Sequence, residues 1–104
     1  MPDHQSRSAR EQLLFLLSHP LRQKILKEVA GEAELSPREC SQRIKVHLGS
    51  VGYHFRVLAE YEAIALVRTE PTRGSMKHYY RFAIEEPWAL EALGLAPPRG
   101  QKKT

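Results

Sequence analysis

A chain of 104 residues with a net charge of +4 has room for one domain with a modest core and little else. Its longest apolar run, Leu13 to Leu17, is only five residues; a bilayer span needs roughly 20. No membrane anchor is therefore expected, and the polar opening Met1-Pro2-Asp3-His4 does not read as a secretory leader. A single cysteine, Cys40, excludes an internal disulfide and makes the cytoplasm the expected compartment.

The positive charge is local. Residues 36–82 hold eight basic and four acidic residues, whereas residues 1–35 hold five of each and residues 83–104 three of each. A basic segment suits a polyanion, because each phosphate contact releases condensed counterions. On charge alone, a merely solvated face is an equal alternative.

In chain order, residues 1–8 read as a flexible N-terminus, 9–95 as the folded domain and 96–104 as a disordered basic tail. A first helix is expected from Ala9 to Leu17, with Leu13, Leu14 and Leu17 on one face. Pro20 then opens a second helix, since proline is tolerated at the first helical position. Leu21, Ile25, Leu26 and Val29 recur at helical spacing, and Gly31 is the expected stop. Ser36-Pro37-Arg38-Glu39 is a capping box: the Ser36 hydroxyl accepts from the Glu39 N–H while the Glu39 carboxylate reaches back to the N–H of Ser36. Cys40 and Ile44 share a face of the short third helix it starts. A turn through Lys45-Val46-His47-Leu48 leads to a fourth helix near Gly49 to Tyr61.

After Glu62 the period becomes strand-like. Residues 64–69 and 77–82 are expected to pair antiparallel across the turn Pro71-Thr72-Arg73-Gly74-Ser75, with His78, Tyr80 and Phe82 on one face and Tyr79 and Arg81 on the other. A short helix from Pro87 to Leu93 follows. The expected fold is mainly α (α+β): a winged helix-turn-helix with a two-stranded β-wing.

Such an arrangement points to double-stranded DNA. On the fourth helix Val51, Phe55 and Leu58 form a keel, while Ser50, Tyr53, Arg56 and Glu60 lie opposite and Gly52 and His54 flank them. A helix entering a major groove needs this division. Arg56 can offer a bidentate contact to guanine, and Ser50 and Tyr53 can bond phosphates or base edges. Arg68, Arg73, Lys77 and Arg81 surround the hairpin turn, and Arg73 and Lys77 can reach the backbone or the minor groove. The candidate DNA-binding set is Ser36, Arg38 and Gln42 at the cap and along the third helix, Lys45 in the turn after it, Ser50, Tyr53, His54 and Arg56 on the fourth, and Arg73 and Lys77 on the wing.

Several stretches resemble the arsenic-repressor-like (ArsR) winged-helix superfamily. They are Ser18-His19-Pro20-Leu21-Arg22, Ile25-Leu26, Ser36-Pro37-Arg38-Glu39, Val51-Gly52-Tyr53-His54-Phe55-Arg56-Val57-Leu58 and Arg73-Gly74-Ser75-Met76-Lys77-His78-Tyr79-Tyr80-Arg81. They are most similar to its bacterial branch with an Arg-Gly wing motif before His-Tyr-Tyr. The resemblance covers roughly residues 10–82 and implies a transcriptional regulator, usually a homodimer, with the fourth helix in the major groove. Three departures stand out: Gly52 replaces a common serine, Glu62 stands where a glycine often ends the recognition helix, and the segment after the wing is short.

A homodimer is expected through exposed members of Leu13 to Leu17, helped by Trp88, Leu90 and Leu93. No cofactor, metal or catalysis is expected, and no effector is read from the sequence. Cys40 lacks a paired cysteine and reads as a small core residue, and no phosphate-binding glycine loop or nucleophile elbow is present. Two alternatives stand beside DNA regulation: a winged helix used only for protein assembly, and a metal-responsive repressor.

Overall fold

The computed structural model describes residues 8–95, so the expectations for residues 1–7 and 96–104 lie outside the described residues. Helices α1 (Ala9–Leu17), α2 (Pro20–Ala30), α3 (Pro37–Ile44) and α4 (Leu48–Glu60) are followed by strands β1 (Ile64–Thr72) and β2 (Ser75–Phe82) and by helix α5 (Pro87–Ala92). No helix among the described residues is long and apolar enough to cross a membrane.

Local chemistry sets the helix starts. Ser8 with Glu11 and Ser36 with Glu39 form full capping boxes ahead of α1 and α3. His19 and His47 do the same work with imidazole: each Nδ1 accepts an N–H of the first turn it precedes, from Leu21 at 3.2 Å and from Gly49 at 3.0 Å. Two helix stops use left-handed residues without glycine, Lys45 (φ 60°) after α3 and Glu62 (φ 65°) after α4. Gly31 stops α2 in a right-handed conformation, φ −81°, so its freedom is not used there.

Leu16, Ile25, Leu26, Val29, Leu35, Cys40, Val51, Phe55 and Leu58 form the centre of the core. The face of α1 differs from the expected one. Leu13 and Leu16 are buried, whereas Leu14 is half-exposed, because 13, 16 and 17 follow the helical repeat and 14 lies about 100° off it. Leu90 and Leu93 are also buried in this chain's own core, so they are not open to a partner as expected. Their apolar faces are satisfied by intramolecular packing that a local pattern cannot reveal.

The wing is longer than expected and carries a bulge. Ile64 pairs with Phe82 and Leu66 with Tyr80, but Arg68 pairs with Tyr79, which leaves Val67 as the extra residue. Beyond it Thr69 faces His78 and the rails run on to Thr72 and Ser75, with Pro71 inside β1 rather than in the turn. The turn itself is Arg73-Gly74, where Gly74 supplies φ +79°. On its other edge β2 is held by a two-way backbone bridge: the Leu35 N–H donates to the Tyr80 carbonyl at 2.9 Å and the Tyr80 N–H to the Leu35 carbonyl at 3.0 Å.

Candidate nucleic-acid interface

Helices α3 and α4 are joined by a tight turn, Lys45-Val46-His47. The turn is stapled at both levels: the Val46 N–H donates to the Ser41 carbonyl at 3.2 Å, and Ser41 Oγ donates to the Val46 carbonyl at 2.9 Å. This fixes α4 against α3 without a glycine.

Along α4 the buried positions are Val51, His54, Phe55 and Leu58, while Ser50, Tyr53, Arg56 and Glu60 are exposed. The open face is polar and cationic with one large ring. Tyr53 is 52% exposed, and the Arg56 guanidinium stands 6.0 Å from its ring centre. Arg38 and Gln42 on α3 and Lys45 just after it are exposed, as expected of groups available to a partner.

Two members of the candidate set are not. Ser36 is fully buried, and its hydroxyl accepts from the Glu39 N–H at 3.2 Å, so its oxygen is committed to the cap. His54 is 8% exposed and packs at a tilt against His19, ring centres 4.6 Å apart, with Tyr53 at 5.1 Å. Its Nδ1 is buried without a hydrogen-bond partner. Burial, then the neighbouring His19 and Arg22, holds its pKa below the ordinary histidine value. The spacing 51, 54, 55, 58 is itself the helical core repeat, so the signal that moves His54 inward was present in the sequence.

Below His54 lies a residue the sequence reading missed. Arg22 is 6% exposed; its Nε donates to the Leu16 carbonyl at 3.0 Å and its Nη2 to the Phe15 carbonyl at 2.9 Å, with the guanidinium 4.8 Å from the Phe15 ring centre. Gln23 donates to the Leu17 carbonyl beside it. The last carbonyls of α1 are thus capped by side chains of α2. Only the position of Arg22 on the same helix face as Ile25 and Leu26, three and four residues on, hinted at this.

The wing cations divide into two kinds. Arg73, at the tip, is exposed and makes no ion pair among the described residues. Lys77 sits 3.6 Å from Glu39. Arg68 is paired with both Glu34 and Glu70. Between the wing, the start of α3 and the first residue of α4 runs an open groove of about 420 Å³, walled by Arg38, Leu48, Arg73, Met76, Lys77 and His78. Leu48 and Met76 give it an apolar strip between cationic rims.

Cys40 is sealed in the core, where burial pushes its thiol up to about 11. A thiolate ligand or nucleophile is therefore disfavoured at neutral pH. Among the described residues no three His, Cys, Asp or Glu side chains converge as a metal site would require.

Residues 17–67 match the family model of a helix-turn-helix domain. No curated protein matches the chain. Several solved structures share its fold. The AntR antimony-specific transcriptional repressor is 20% identical, with 90% of this chain and 86% of that one covered at a TM-score of 0.65. The homodimeric winged helix-turn-helix DNA-binding domain Mb0332 of Mycobacterium bovis is 18% identical, with 90% and 84% covered at 0.63. A transcriptional regulator of the ArsR family is 20% identical, with 82% and 87% covered at 0.58. The winged-helix fold read from the sequence is borne out, and ArsR-family regulators are among the structures that share it. The family model ends at residue 67, ahead of the Arg-Gly wing motif.

Proposed function

We propose that this chain, a winged helix whose residues 17–67 form a helix-turn-helix domain, is a cytoplasmic, sequence-specific regulator of transcription that binds double-stranded DNA as a homodimer. The observation that carries this is the division of α4: a buried keel of Val51, His54, Phe55 and Leu58 beneath an open face of Ser50, Tyr53 and Arg56. In this reading α4 lies in the major groove with Arg56 at a base edge, and Arg38, Gln42 and Lys45 meet the flanking backbone. Arg73 carries the wing to the phosphates or the adjacent minor groove, with Lys77 behind it. No catalysis, cofactor or metal enters the reading.

The homodimer is supported by the homodimeric state given for the Mycobacterium bovis domain and by the half-exposed Leu14 on α1. With Leu90 and Leu93 used internally, the self-contact falls to Leu14, the partly buried Phe15 and Leu17, and Trp88. Sedimentation at micromolar concentration should find two chains per particle.

The exposed Leu48, Tyr53 and Met76 favour one competing reading, a protein-assembly module. Titration of a selected duplex at several salt concentrations separates the two. DNA binding predicts affinity falling steeply with salt and a preference for one sequence. Absence of salt-dependent duplex binding would overturn the proposal in favour of assembly.

A further inference from the structure

Of the cations around the wing, Arg68 is the one whose partners are most fully defined. The bulge at Val67 changes which face of the ribbon it occupies. Before the bulge, Leu66 lies with Tyr80; after it, Arg68 lies with Tyr79 and Glu70 with Lys77. One extra residue thus gathers Arg68, Glu70, Lys77 and Tyr79 on a single face.

There they form a closed set of contacts. Arg68 Nε and Nη2 both donate to Glu34 Oε2, at 2.9 and 2.6 Å, and Nη1 donates to Glu70 Oε2 at 2.8 Å. The guanidinium lies 4.0 Å from the Tyr79 ring centre, and Lys77 Nζ lies 5.3 Å from the same ring. Tyr79 is 7% exposed although it lies outside the apolar core; cations and carboxylates cover it instead. Lys77 also meets Glu39 Oε2, while Glu39 Oε1 accepts the Ser36 N–H that starts α3. Both rails are therefore tied to the chain between residues 34 and 39: β1 through Arg68 and Glu34, β2 through Lys77 and Glu39 and through the Leu35–Tyr80 backbone bridge.

We propose that Arg68 is a positioning residue that clamps the wing to the start of α3, so that the wing tip and α4 meet a duplex as one rigid unit. This rests on the DNA-binding reading above. A two-stranded ribbon has little stability of its own. A single exposed ion pair would add little, but here forked hydrogen bonds, two acids and a ring act together. The arrangement also removes Arg68 from the set of cations open to phosphate: two carboxylates already neutralise it, and their hydrogen bonds raise its pKa further.

Glu34→Gln is the informative variant, because the alternatives give opposite signs. If Arg68 were a phosphate contact, losing its acidic partner and one negative charge would tighten binding. As a clamp, Glu34→Gln and Arg68→Gln should both weaken binding to a long duplex by about three- to tenfold. Both should leave binding to a duplex trimmed to the α4 half-sites unchanged, and the double variant should be no worse than either single one. Amide hydrogen exchange across residues 69–78 of the free protein should quicken in both variants and stay unchanged in α1 and α2. Tighter binding by Glu34→Gln overturns the clamp, and so does unaltered wing exchange. Faster exchange without loss on the long duplex overturns its positioning role. A parent protein that binds no duplex overturns the DNA reading instead, and the exchange measurement still decides the clamp.

Discussion

Two arginines hold this small protein together in opposite surroundings, Arg22 beneath α4 and Arg68 on the wing. Arg22 is buried and donates to backbone carbonyls; Arg68 is exposed and donates to carboxylates. In the first place the groups being satisfied would be orphaned in a dry interior, so the interaction bears on whether the chain folds. In the second, every group could turn to water instead, so the interaction bears on geometry. The same side chain serves stability in one region and orientation in the other.

The largest effect is expected from breaking the buried member. Arg22→Met keeps an apolar stem of similar length but strips the Leu16 carbonyl of its donor, and should cost about 2–3 kcal/mol. That corresponds to a fall in Tm of roughly 10 °C or more for a domain of this size. A Tm within a degree or two of the parent would dissolve the contrast with Arg68.

Next come the two exposed arginines that neither junction uses. Arg56→Ala should lose about 1–3 kcal/mol on a selected site and relax the preference at one position per half-site. Arg73→Ala should weaken all duplexes nearly alike and shallow the salt slope by about one per site. Both variants should melt like the parent, since both side chains are exposed. Matching effects from the two would mean that α4 and the wing tip do not divide the work as described.

A smaller gain should follow from Glu62→Gly. Glu62 holds φ 65° at the end of α4, a conformation that glycine adopts without the Cβ penalty. Thermal melting should show stabilisation of about 0.5–1 kcal/mol. No gain would mean that other contacts of Glu62 offset its strain.

The smallest effect concerns pH. His54 faces Arg22 and His19 from the α1–α2 side and Tyr53 on its own helix. Its folded pKa lies below the unfolded value, so the unfolded chain binds more protons between the two. Stability is therefore full above about 6.5 and declines as pH falls from there toward the folded pKa. Urea titrations between pH 5 and 7.5 should show this acid-side slope in the parent and a flatter one in His54→Gln. Equal slopes would remove His54 from the account of the buried junction.

What was legible in the sequence was local or periodic. The Ser36–Glu39 box, Pro20 at a helix start and the keel of α4 each rest on residues no more than four positions from the next, and the structure repeats them. The two strands were legible because the period changes after Glu62. Arg22 and Leu90 escaped because their partners lie on other elements, and spacing says nothing about those. Ser36 was read correctly as a cap and wrongly as a contact: one oxygen was assigned two tasks. His54 was placed by the polarity of its type, although its position in the repeat argued for the interior. The bulge had no marker, since Val67 is as good a strand residue as its neighbours.

That unmarked valine has a consequence for reading relatives of this chain. Deleting Val67 would leave a hairpin whose rails match one to one, and by ladder criteria alone it would look improved. Arg68 would then follow Leu66 directly and still stand opposite Tyr79, and every pair beyond it would be kept. A relative one residue shorter between Ile64 and the turn is therefore in phase with this one at the tip only when its gap is set against Val67. An alignment that places the gap in the turn, where gaps usually go, would match residues that point in opposite directions.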